Sequence, residues 1–166
     1  RLYSMSKPVT AAAAMILIER GLLDLGEPVS KFLPGFSNQK VAEGNQSVSP
    51  KREINIKDLL CMTSGLSYPN EMTVAGREAG KVFDEIDEHL YEENQMTTLE
   101  VANALGKCHL HFHPGEHWMY GTSADILGAV IEVVSGMRFG DFLKKELFGP
   151  LGMKDTGFYV PKEKQN

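Results

Sequence analysis

Ile126, Leu127, Val130, Ile131 and Val134 recur at helical spacing between Thr122-Ser123 and Gly136. This stripe is the strongest of several helix-period segments in a chain with few strand candidates, and it constrains the fold to a mainly α one. Pro8 fits only the first turn of a helix, so the first helix starts at about residues 4–7. It runs through Ala11–Ala14 to Arg20 and stops at Gly21. A short piece, Val29 to Leu33, follows Pro28. Asn55 can cap a helix Ile56–Met62 that ends in Thr63-Ser64-Gly65. Val82, Phe83, Ile86 and Leu90 give residues 74–93 a helical apolar face, with an acidic, solvated face opposite. Thr97-Thr98-Leu99-Glu100 is a capping box for Leu99–Leu105, closed by Gly106. Thr122 or Ser123 caps Ala124–Ser135, and Phe139–Phe148 is the last helix. Leu110–Phe112 and Phe158–Val160 are the best strand candidates. Residues 37–52 read as a polar surface excursion, and the tail 161–166 as carrying no element.

Composition narrows the function classes. With 166 residues, 42% of them hydrophobic, the chain can bury a real core. The longest apolar run, Val9 to Ile18, falls far short of a membrane span of ~20 residues. Seventeen basic residues against 22 acidic ones leave no nucleic-acid footprint. Cys61 and Cys108 make neither a disulfide framework nor a metal knuckle, and they leave the redox compartment open. Arg1 is no initiator and Met5 already lies in the first helix, so the chain is expected to be an internal piece of a longer protein, 1–166 forming a single partial domain.

Ser4-Met5-Ser6-Lys7 places a hydroxyl and an ammonium three residues apart at a helix start. Free backbone N–H groups and the positive end of the helix dipole favour an alkoxide and a developing oxyanion there. Lysine acts as a base only if burial or a neighbouring cation lowers its pKa. The motif alone is common, and a capping serine beside a solvated lysine would look the same. Ser37-Asn38-Gln39-Lys40 repeats it in a polar loop with no helix behind it. Tyr120, between the Pro114-Gly115 turn and a capped helix, sits where catalytic groups are often presented. A nearby ammonium would favour its phenolate as a general base. The competing reading is a half-buried aromatic with a satisfied hydroxyl.

His109, His111, His113 and His117, with Cys108 and Glu116, raise a metal reading, since a strand would put 109, 111 and 113 on one face. The Pro-Gly turn after His113 redirects the chain, and no second ligand pair follows, so no metal and no cofactor is assigned. Asn45-Gln46-Ser47 fits a glycosylation sequon, relevant only in a secreted eukaryotic context.

Four ordered blocks together resemble the serine β-lactamase and penicillin-binding-protein superfamily, in its class C-like branch that includes carboxylesterases of β-lactamase fold. The first is Arg1-Leu2-Tyr3-Ser4-Met5-Ser6-Lys7-Pro8-Val9-Thr10, with Glu19-Arg20-Gly21-Leu22-Leu23-Asp24-Leu25 behind it. Leu59-Leu60-Cys61-Met62-Thr63-Ser64-Gly65-Leu66 is similar to the family's LL-x-x-TSGL block. Pro114-Gly115…Trp118-Met119-Tyr120, running into Asp125-Ile126-Leu127-Gly128, resembles its tyrosine motif. Phe148-Gly149-Pro150-Leu151-Gly152-Met153 resembles the block that follows. The likeness weakens over 37–52 and 67–95.

The resemblance implies Ser4 as an acylated nucleophile, Lys7 as its activator and Tyr120 as general base and then acid. The lysine and the tyrosine remain alternatives for taking the proton. It also implies Trp118 and Thr122 as substrate-binding positions. Thr122 stands where lactamase and peptidase members commonly carry the asparagine of Tyr-x-Asn, so an ester or amide is at least as well matched as a β-lactam. The family's third motif, a Lys- or His-x-Gly strand, and most of its antiparallel sheet have no counterpart here. The expected fold is therefore the helical portion of a β-lactamase/transpeptidase-like α+β fold, with an incomplete oxyanion hole. Self-association through the apolar surface left uncovered is also expected. The competing function is a non-enzymatic scaffold or binding protein of the same fold.

Overall fold

A computed structural model describes residues 2–164; Arg1, Gln165 and Asn166 lie outside the described residues. The chain is mainly helical. A 3₁₀ turn at Tyr3–Met5 leads into α1 (Ser6–Glu19), which keeps Pro8 in its first turn and closes on Gly21. Helices α2 (Ile56–Cys61), α3 (Val74–Glu88), α4 (Thr98–Gly106), α5 (Ser123–Ser135) and α6 (Phe139–Leu143) follow, and a π-helical turn Lys144–Phe148 continues α6. Among the described residues, no helix is long and apolar enough to cross a membrane.

The strongest sequence stripe becomes the central helix. Helix α5 packs against α1, α2, α4 and α6, and it buries Gly128 and Ala129 along with Ile126, Leu127, Val130 and Ile131. Helix α1, packed against it, buries Ala13, Ala14 and Leu17 in the same core. Leu59, Leu105, Phe142 and Leu143 close the same core from α2, α4 and α6.

Two expectations about strands fail. The described strands are β1 (Val41–Glu43) and β2 (Gln46–Val48), an antiparallel hairpin with Val41 opposite Val48, inside the segment read as a surface excursion. Leu110 forms only a single parallel bridge to Val41. Phe158–Val160 forms no strand, and the Phe158 ring instead lies 5.7 Å from Phe139. The tail carries a 3₁₀ turn, Lys162–Lys164, where no element was expected. Helix α3 stops at Glu88, short of the Glu93 that its pattern suggested.

The histidines hold the hairpin down. His109 Nε2 lies 2.8 Å from Ser47 Oγ, while its Nδ1 lies 3.0 Å from the Glu78 carboxylate. His113 Nδ1 accepts from the Lys51 N–H, so Nε2 carries the proton it donates to Glu43 at 2.7 Å. These residues are spent on separate partners. Among the described residues, no three His, Cys, Asp or Glu side chains are gathered to hold a metal ion.

Asp58 ties the start of α2 to the segment beyond its end. It is 3% exposed. Its carboxylate accepts from both Arg52 guanidinium nitrogens at 2.5 and 2.8 Å, from the Asn55 N–H and from Thr63 Oγ1, and Asn55 caps the helix in return. Burial alone would raise this carboxyl, but Arg52, Asn55 and Thr63 outweigh it and hold the group below its ordinary value. Asp58→Ala is expected to cost about 2–4 kcal/mol, the upper end discounted because Arg52 is partly solvated, and a urea unfolding midpoint reads it. A depressed folded pKa makes the wild-type contribution full above about pH 4, the unfolded value, and lost as pH falls through the folded value. That part of the acid sensitivity should vanish in Asp58→Ala.

Candidate active site

The site assembles where the 3₁₀ turn before α1 meets the loop before α5. Lys7 lies one turn after Ser4, and its Nζ donates to Ser4 Oγ at 3.3 Å. From 116 residues further along, Tyr120 brings its Oη to 2.5 Å from the same Ser4 Oγ, a hydroxyl pair in which either oxygen can hold the bridging proton. The Lys7 ammonium also sits 4.7 Å from the centroid of the Tyr120 ring.

Local backbone geometry explains how Tyr120 gets there. Residues 62–66 form a spine on which residues 111–123 are hung. The Gly115 N–H donates to Thr63 O, the His111 N–H to Gly65 O and the Met119 N–H to Met62 O, all at 2.8–3.0 Å. Inside, Ser64 Oγ and Ser123 Oγ pair at 2.8 Å. Gly65 has φ +81°, and a Cβ there would stand 2.5 Å from Phe112 O. Gly121 is tighter: a Cβ would stand 1.9 Å from Leu66 O. The Thr-Ser-Gly-Leu block thus sets where Tyr120 points, and the residue after Tyr120 must be glycine for the two segments to touch.

Charge follows from the geometry. Partial burial lowers the Lys7 pKa, but hydrogen bonding to Tyr120 and Tyr68 outweighs it, and the net shift is upward. The contact with Lys7, then that with Ser4, pulls the Tyr120 phenol below its ordinary value. The ammonium is kept and the phenolate is favoured, so of the two candidate bases the tyrosine is the better placed.

The other sequence candidates fall elsewhere. Trp118 is 67% exposed beside the loop. Thr122 is fully buried at the start of α5, and its Oγ1 has no hydrogen-bond partner among the described residues. Neither Thr122 nor Ser123 caps the helix through its side chain, contrary to expectation, because Ser123 is committed to Ser64. In the second S-x-x-K, Lys40 reaches Ser49 rather than Ser37. Tyr68 was missed: its ring stands 5.8 Å from that of Tyr120 and 5.7 Å from Lys7 Nζ. No spacing in the sequence pointed to it, since it lies 61 residues from Lys7.

Residues 1–166 match the profile of the Beta-lactamase family. The chain belongs to that family. Among its relatives are the esterase EstB of Burkholderia gladioli, 34% identical over 95% of this chain and 38% of that protein, and penicillin-binding protein 4* of Bacillus subtilis, 35% identical over 95% of this chain and 30% of that protein. A solved structure, EstCE1, a hydrolase with promiscuous acyltransferase activity, superposes with a TM-score of 0.76 at 32% identity, over 95% of this chain and 39% of that one. The chain therefore spans well under half the length of these relatives, and it matches the helical portion of the fold they share.

Proposed function

We propose that the protein is a serine hydrolase that works through an acyl-enzyme, with Ser4 as nucleophile, Tyr120 as general base and acid, and Lys7 as a fixed cation. The observation that carries this reading is one serine oxygen within 2.5 Å of a tyrosine hydroxyl and 3.3 Å of a lysine ammonium. The Tyr120 phenolate takes the Ser4 proton as Oγ attacks a carbonyl carbon. The Ser4 backbone N–H is one donor to the resulting oxyanion. Collapse breaks the bond to the leaving group, which receives the proton from Tyr120. Tyr120 then deprotonates a water molecule that attacks the acyl-enzyme, and Ser4 recovers its proton as the acid product leaves.

Small carboxylic esters are the favoured substrate class, with amides and β-lactams behind them. Thr122 supports that order, because it offers no exposed amide where lactamase-type members carry asparagine. The esterase relatives support it too. The test is turnover of a short-chain p-nitrophenyl ester and of a chromogenic cephalosporin by the protein expressed from its full gene. Ester turnover should exceed cephalosporin turnover and should rise with pH to a plateau. Its midpoint should lie below the ordinary phenol value of about 10, because the active form is a phenolate stabilised by Lys7. A folded protein inert toward both substrates would favour the non-enzymatic scaffold.

A further inference from the structure

Lys7 does not meet one aromatic ring but two. Its Nζ stands 4.7 Å from the centroid of Tyr120 and 5.7 Å from that of Tyr68, both within the range at which a cation is attracted to a ring face. The two rings are themselves 5.8 Å apart and tilted by 44°. Behind Tyr68, the Phe83 ring of α3 meets it edge-on at 6.4 Å. The backbone around Tyr68 is also fixed: Ser67 Oγ and Asn70 Nδ2 both donate to Tyr68 O, at 2.8 and 3.1 Å. Asn70 Oδ1 accepts in turn from the Thr73 N–H and hydroxyl, which cap α3. Tyr68 is therefore held from two directions, by α3 on one side and by its own turn on the other.

We infer that Tyr68 is a positioning residue of the acyl-transfer site, its ring forming with Tyr120 a two-sided aromatic clamp that holds the Lys7 ammonium beside Ser4. The inference rests on the serine-hydrolase reading. Its physical content is separate: a flexible four-carbon lysine stem would otherwise sample several rotamers in solvent, and two ring faces restrict it to the one that reaches Ser4 Oγ. Held there, the ammonium favours the Tyr120 phenolate, so Tyr68 acts on the nucleophile through Lys7 without touching substrate. The ring face carries the clamp, and the hydroxyl, which also hydrogen-bonds the ammonium, adds to it.

The experiment uses two variants and two readouts on the protein expressed from its full gene. Tyr68→Leu removes the ring; Tyr68→Phe keeps it and discards the hydroxyl. The first readout is the rate of Ser4 modification by a fluorophosphonate against pH. Tyr68→Leu should slow it severalfold at neutral pH and move its midpoint upward by about half a pH unit. Tyr68→Phe should recover part of both losses, since it keeps the ring and loses only the hydroxyl's hydrogen bond to Lys7. The second readout is competitive acetylation of Lys7 by acetic anhydride against pH, read by peptide mass. It needs no hydrolytic activity, and Tyr68→Leu should make Lys7 react at lower pH. Circular dichroism and a thermal melt establish that each variant is folded. Should Tyr68→Leu disrupt the fold, Tyr68→Met supplies a bulky, non-aromatic replacement with the same expected shifts. If Ser4 of the wild type is never modified, the hydrolase reading fails, while a moved Lys7 profile would still show the clamp. An unmoved Lys7 profile in folded Tyr68→Leu or Tyr68→Met overturns the clamp, as does Tyr68→Phe as impaired as Tyr68→Leu.

Discussion

Replacing Ser4 with alanine is expected to remove both the fluorophosphonate adduct and ester turnover, while leaving the fold intact. Ser4 lies in the 3₁₀ turn ahead of α1 and is exposed, so its side chain carries no packing that a methyl group would forfeit. Its partners are Lys7 and Tyr120, both solvent-accessible, and neither becomes a buried unpaired group when the hydroxyl goes. Stability should therefore change by no more than about 0.5 kcal/mol. Catalysis should collapse because, among the described residues, the Tyr120 hydroxyl is hydrogen-bonded to no other nucleophile than Ser4. In serine proteases, loss of the nucleophile lowers kcat on the order of 10⁶-fold, and a comparable fall to background is expected here. Intact-mass analysis reads the adduct, and a thermal melt run alongside reads the fold.

Tyr120→Phe should come next in size. Of the two side chains that hydrogen-bond Ser4 Oγ among the described residues, the phenol is the one whose environment favours its basic form, since the ammonium of Lys7 stays protonated. Removing a positioned general base costs about 10²–10⁴-fold. The phenylalanine ring still fills the space beside Tyr68, so the loss should appear in kcat with little change in KM. The rise of activity with pH should also disappear from the range in which Tyr120 titrates. Were Lys7 the base instead, Tyr120→Phe would retain that rise and lose far less activity. A pH-rate profile of the variant separates the two.

Legibility in the sequence followed the range of the interaction. Ser4 and Lys7 are one turn apart, so spacing alone put hydroxyl and ammonium together. Helix α5 was plain because its apolar stripe and Gly136 stop are local signals, and so was the Asn55 cap of α2. The one local signal for Tyr120 was its place at an element end; the resemblance of residues 114–120 to the family's tyrosine motif supplied its role. Its meeting with Ser4 depends on residues 62–66 gripping 111–123 through backbone hydrogen bonds and two glycine contacts, none of which has a periodicity. Tyr68 depends on the same packing and had no local signal at all.

The strand errors have the opposite cause. Phe158–Val160 has strand-like residue types, but a strand requires a partner, and Phe158 finds Phe139 instead. The hairpin was hidden because its strands are only three residues long, and a single apolar pair, Val41 opposite Val48, seats it on the core, with Ser47–His109 and Glu43–His113 holding its polar side. The two-residue Gly44-Asn45 connection was the available signal for it.

Peptide mass mapping of the protein, quenched during turnover of a slowly deacylating p-nitrophenyl ester, tests the central claim most directly. A single acyl group is expected on the peptide carrying Ser4, absent from Ser4→Ala and accumulating more slowly in Tyr120→Phe. Ester turnover with the acyl group on Ser47, the serine that pairs with His109, or on no serine at all, would contradict it.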